Sequence, residues 1–182
     1  DYEFGWPLAK QEKVDIVDEQ YYVAPGWYIN NRDFYDKYDR NGTKVYLGEW
    51  ASWGRTLENA LAEALHLTSV ERNGDVVVMA SYAPMLGKHH HTQWNPDLIY
   101  FNNTEVKPTP NYYVQMMCGQ NAGDHYIYSQ MQANTQPTDA NRPSQADIDK
   151  RVKASIVTDS QTSDLIIKIV NALPVANTIT LS

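Results

Sequence analysis

The strongest constraint on the fold is an alternation of short apolar runs, each ending on polar residues, with longer segments of helical period. Val14–Tyr22 (VDIVDEQYY), Thr43–Trp50 (TKVYLGEW) and Val76–Leu86 (VVVMASYAPML) have the length and composition of strands. The last is apolar on both faces. Between them, Trp27–Tyr38 and Leu57–Arg72 have helical character. In the second, Leu57, Leu61, Ala64, Leu65 and Thr68 share one face, Glu58 and Glu63 lie off it, and Gly74 follows as a stop. Leu98–Phe101 predicts a further short strand, and Pro110–Cys118 a further helix. Strands buried on both faces and joined by helices form parallel sheets. The expected fold class is therefore α/β, followed by an all-β part.

The pattern changes near residue 121. Tyr126–Gln132, Val152–Thr158, Leu165–Val170 and Thr178–Leu181 are strand candidates separated by polar turns, with Asn134–Ser144 as a loop. Two domains are expected, 1–121 and 122–182. The second should be antiparallel, packed apart from the first and free of catalytic residues.

Composition excludes several function classes. Hydrophobic residues make up 42% and charged residues 20%, enough apolar material for a core. A net charge of −7 argues against nucleic-acid binding, which needs clustered Lys and Arg. There is no apolar run long enough to span a membrane. The single cysteine, Cys118, permits no intrachain disulfide and has the setting of a buried structural thiol. Asp1–Trp6 has neither a basic start nor an apolar segment, so an upstream signal peptide is expected in a longer, secreted or periplasmic parent. The 13 Tyr and five Trp, mostly before residue 130, suit sugars, which present apolar C–H faces and hydroxyl rims.

Glu49 ends the run Val45-Tyr46-Leu47-Gly48. At the C-terminal ends of barrel strands a carboxylate among aromatics is what oxocarbenium chemistry requires. By pattern alone the signal is weak, because an acid ending a strand is more often a helix cap, an ion-pair partner or a solvated group. The preceding glycine permits close approach of another group.

Longer motifs extend this. KVYLGEW, LAEALHLTSVERNGDVVVMASYAPML, HTQWNPDLIYFNN and the TPNYYVQ run resemble, in order, the α-L-arabinofuranosidases of glycoside hydrolase family 51, with a weaker likeness through DLIIKIVNALPVA. The resemblance implies the last strands and helices of a (β/α)8 TIM barrel and part of a C-terminal β-sandwich. It implies a retaining α-L-arabinofuranosidase that removes terminal arabinofuranosyl groups from arabinan or arabinoxylan, with no metal or organic cofactor. Glu49 falls on the family's nucleophile, Trp53 on an aromatic lining the sugar subsite, and Tyr22 on a tyrosine that bonds the nucleophile or sugar. Gln20 stands where the family commonly has histidine, and cannot carry its charge. The family's acid/base belongs to an Asn-Glu motif that this chain does not contain. The resemblance therefore implies a chain inactive alone, with open barrel edges able to self-associate.

Other candidates rank lower. Asp18 and Glu19 could be mistaken for a second catalytic carboxylate. His89-His90-His91 invites a metal reading, but adjacent side chains diverge and an ordinary loop is expected, with His91 able to face the cleft. Asn41-Gly-Thr and Asn102-Asn-Thr fit the glycosylation acceptor pattern. The alternative function is a non-catalytic carbohydrate-binding module built on the aromatic surface.

Overall fold

A computed structural model describes residues 5–135 and 143–181 of the chain. The first helix, α1 (Gly5–Glu12), leads into β1 (Ile16–Val23), α2 (Pro25–Asn30), β2 (Lys44–Ser52), α3 (Leu57–Arg72) and β3 (Val77–Tyr82). The three strands form one parallel sheet in the order β1-β2-β3, as the alternation predicted. The expected Trp27–Tyr38 helix is two pieces, α2 and a 3-10 turn at Tyr35–Lys37.

The core lies between this sheet and its helices. Tyr28, Tyr35, Val45, Leu47, Trp50, Ala62, Leu65 and Val76 are buried together, joined by Val170 from the C-terminal part. Helix α3 starts at a reciprocal cap, in which Thr56 Oγ1 accepts from the Asn59 backbone and Asn59 Oδ1 accepts from the Thr56 backbone. Its buried surface differs from the expected stripe. Leu57 is 67% exposed, whereas Glu63 and His66 are buried. The helix packs against β2, α2, a second helix and two C-terminal strands, so burial extends well around its circumference.

The run Val76–Leu86 is also not one strand. β3 stops at Tyr82, and a separate short strand β4 (Leu86–Lys88) follows Pro84, whose missing N–H cannot extend a ladder. β4 pairs with β5 (Ile99–Phe101), and β5 with β6 (Val106–Pro108), in a small sheet of its own. Val78 and Met79 are half exposed on β3, so that strand is not covered on both sides.

After α4 (Pro110–Gln120) every strand pairing among the described residues is antiparallel, as β5 with β6 already is. β7 (His125–Ile127), β9 (Val152–Thr158) and β10 (Leu165–Asn171) form one sheet, and β8 (Met131–Thr135) pairs with β11 (Asn177–Leu181) in another. The single strand expected over Tyr126–Gln132 is thus two, in different sheets. The expected loop Asn134–Ser144 lies mostly outside the described residues. Just beyond it is a helix that periodicity did not suggest, α5 (Gln145–Arg151), capped by Ser144 accepting from the Asp147 backbone at 3.1 Å.

The expectation that the β part packs apart is overturned. β9 and β10 lie against α3, where Glu71 accepts from Ser155 and pairs with Lys168. These ion-pair side chains are 16% and 14% exposed, so the contact is largely shielded from water.

Candidate active site

The sheet has two distinct faces. On β1, Glu19 is buried on the helix-covered side, while Asp18, Gln20 and Tyr22 alternate onto the other. On β2, Val45, Leu47 and Trp50 are buried. The β1/β2 register runs Glu19↔Leu47 and then Gln20↔Glu49, so Gly48 is an extra residue in β2. This bulge re-aims the strand end, as bulges commonly do. It also explains the glycine: a Cβ at position 48 would lie 2.0 Å from Asp18 Oδ1. The close-approaching group is therefore the Asp18 carboxylate.

Beyond the bulge, Glu49 is partly exposed and accepts the Tyr22 hydroxyl at 2.6 Å. Partial burial, and then the adjacent Glu49 carboxylate, push the Tyr22 phenol well above its ordinary range, so it stays protonated as a donor. Trp53 stands beside them, 51% exposed, with Nε1 donating to the Tyr22 carbonyl at 2.6 Å and its backbone N–H to Val23 at 2.8 Å. Tyr22 and Trp53 ring centroids are 6.4 Å apart. The structure thus brings together Glu49, Tyr22 and Trp53. Gln20 lies opposite Glu49 in register and on the same face, but its amide donates to Asp18 Oδ2 at 2.7 Å.

Trp94 completes the wall and was not singled out from sequence. It stacks on Tyr22 at 5.1 Å and 28°, lies 6.3 Å from Trp53, and is 45% exposed. The excursion carrying it is braced by buried Asp97, which accepts from Thr92 Oγ1 at 2.9 Å. Its only sequence signal is its place inside the HTQWNPDLIYFNN motif.

The other acids separate cleanly. Glu19 accepts from Trp6 Nε1 and Tyr38 at 2.7 Å and from Tyr35 at 3.2 Å, on the opposite side from Glu49. Asp18 remains on the Glu49 side. His89 and His90 stack on each other at 4.1 Å, His91 is exposed, and among the described residues no group of three His, Cys, Asp or Glu could hold a metal ion. Asn102 Oδ1 accepts from the backbones of Thr104 and Glu105 in a local turn, and Asn41 sits exposed. No described helix is long and apolar enough to cross a membrane.

Behind the site, two titratable groups are buried. Burial alone holds the His66 imidazole far down, at about 3, so it is neutral and bonds Tyr21 at 2.7 Å. Glu63 receives the Ser52 backbone N–H, while its Oε2 has no partner and faces Tyr82, Asn111 and Gln115. Burial, offset in part by these neighbours, pushes its carboxyl up to about 7. A value raised on folding gives a contribution fully present below the unfolded value of 4.5 and lost as pH rises through about 7. Glu63→Gln has no such titration. Between about pH 4 and pH 8, the unfolding free energy of that variant should gain on wild type by on the order of 3 kcal/mol, as read by denaturant melts.

The comparisons with known proteins agree with this architecture. A model of the α-L-arabinofuranosidase C-terminal domain family matches residues 48–182. The chain is 46% identical over 136 residues to an extracellular exo-α-L-arabinofuranosidase of Streptomyces chartreusis, covering 75% of this chain and 16% of that protein. It is 32% identical over 127 residues to α-L-arabinofuranosidase 1 of Arabidopsis thaliana, covering 67% of this chain and 19% of that protein. The arabinose-bound structure of the MgGH51 α-L-arabinofuranosidase superposes with a TM-score of 0.73 at 30% identity, over 87% of this chain and 26% of that one. The chain therefore spans less than a fifth of these curated relatives. By this match, the chain belongs to the α-L-arabinofuranosidase C-terminal domain family and corresponds to a C-terminal portion of a glycoside hydrolase family 51 protein.

Proposed function

We propose that this chain is the nucleophile-bearing part of a retaining α-L-arabinofuranosidase acting on terminal arabinofuranosyl groups of arabinan or arabinoxylan. The observation that carries the proposal is the 2.6 Å hydrogen bond from Tyr22 to Glu49, at the end of a parallel strand and between exposed indoles. β1, β2 and β3 would be the last strands of a (β/α)8 barrel within residues 1–121, and 122–182 part of a β-sandwich. The parallel pairing of β1, β2 and β3, set against the wholly antiparallel pairing after α4, supports that division. The relative from Streptomyces chartreusis is named extracellular, which supports secretion of the parent.

In this mechanism Glu49 attacks the anomeric carbon, and the bond to the leaving oxygen breaks as a second carboxyl group protonates it. The product is a glycosyl ester on Glu49. The second group, now a carboxylate, takes a proton from water, which displaces Glu49 and restores the α configuration. The Tyr22 hydroxyl orients the Glu49 carboxylate, and Trp53 and Trp94 offer faces to the sugar. No metal or organic cofactor takes part in these steps.

A carbohydrate-binding module needs aromatic faces but has no use for a tyrosine fixed on a carboxylate, which favours the enzyme. Enzyme quenched during turnover should carry an arabinofuranosyl adduct on the Glu49 peptide by mass spectrometry. Full sugar binding with no adduct and no hydrolysis would point to the binding module. Tyr22→Phe should lower kcat by about 10–100-fold, the worth of a hydrogen bond to a charged group. Steady-state kinetics of the full-length enzyme checks this.

A further inference from the structure

The N-terminal half of α3 holds the wall of the site from behind. Glu63 is fully buried and accepts the Ser52 backbone N–H at 2.8 Å. Ser52 directly precedes Trp53. It also lies past the last β2/β3 pair, Trp50↔Tyr82, so β3 offers its backbone no partner. A buried N–H must find an acceptor, and Glu63 supplies one. One turn earlier, Asn59 donates to the Ser52 hydroxyl at 2.8 Å and to the Trp53 carbonyl at 2.9 Å. Gly54 closes the turn at φ +129°, and a Cβ there would lie 2.5 Å from Asn59 Oδ1. The exposed indole of Trp53 is thus located by straps on its backbone as well as by its own bond to Tyr22.

We propose that Glu63 is a positioning residue for the candidate active site: through the Ser52 amide it fixes the Ser52–Gly54 turn and so sets where the Trp53 indole meets the sugar. This rests on the reading of Glu49, Tyr22 and Trp53 as that site. A platform that contacts the sugar throughout the reaction contributes to ground state and transition state alike, so loosening it raises KM more than it lowers kcat. Gln preserves the acceptor, Asp withdraws it by one methylene, and Ala removes it.

The test compares Glu63→Ala, Glu63→Asp, Glu63→Gln and Glu49→Ala in the full-length enzyme on an aryl α-L-arabinofuranoside. Ala and Asp are expected to raise KM about tenfold with kcat changed less than about threefold, and Gln to recover most of the KM. Should the Ala variant fail to fold, Asp and Gln carry the same comparison. An unchanged KM in the folded Asp variant, or a Gln variant no better than Asp, overturns the inference. Retained activity in Glu49→Ala instead strikes at the reading of the site. With Glu49→Ala inactive, the Glu63 series judges the positioning role alone.

Discussion

Glu49→Ala in the full-length protein is expected to abolish turnover of natural arabinosides, with a loss of at least about 10⁴-fold in kcat, since removing the proposed covalent nucleophile would leave only binding and residual electrostatics. The neighbouring residues make this outcome specific. Tyr22 donates to the carboxylate at 2.6 Å, and Gly48 lets the strand bulge so that Glu49 follows Asp18 and Gln20 onto the open face. Truncation removes the carboxylate and leaves the aromatic wall, so sugar affinity should survive within a few fold. Azide should partly restore turnover, because a small anion fits the space left by the side chain and attacks the same face of the sugar. The product would be the glycosyl azide of inverted configuration, identified by NMR. Unchanged activity of this variant would remove the central assignment. Rescue giving the retained azide would show instead that another group still performs the first displacement.

The α/β part was legible because its signals are local. β1, β2 and α3 were found nearly at their true limits from apolar runs, a helical period and a glycine stop, while the Thr56 cap of α3 went unread. Glu49, Tyr22 and Trp53 were assigned through motif resemblance, and the structure brings those side chains together. What sequence could not supply depended on distant partners. Glu63 looked like an exposed acid because helical period alone cannot see α4 and the end of β2 closing over it. Lys168 and Glu71 stand 97 positions apart, and their pairing, with Ser155 on Glu71 and Val170 in the core, shows that the β part docks on α3. Trp94 reaches Tyr22 by an excursion whose path periodicity does not encode. α5 was missed because a helix of seven residues offers little period to detect, although its Ser144–Asp147 cap was present in the sequence.

The purified chain of 182 residues is expected to hydrolyse aryl α-L-arabinofuranosides negligibly. Retention needs two carboxyl groups roughly 5–5.5 Å apart, and general-acid assistance to a poor leaving group contributes about 10²–10⁴-fold. Glu19 was the first candidate for a second carboxyl from sequence, but its oxygens are turned to Trp6, Tyr35 and Tyr38 beneath the sheet. Asp18 is the acid on the Glu49 face, held by Gln20 and packed against Gly48 on the neighbouring strand. It lies beside Glu49 on the same sheet, whereas an acid must reach the leaving oxygen across the sugar ring. The outer edges of β1 and β3 have no strand partner among the described residues, and unpaired edges template association. Sedimentation should therefore show the isolated chain self-associating, with an assembly that grows with concentration. Robust hydrolysis lost in both Glu49→Ala and Asp18→Asn would make Asp18 the acid and overturn the expectation of inactivity. Hydrolysis lost in Glu49→Ala but kept in Asp18→Asn would place an acid elsewhere within the chain.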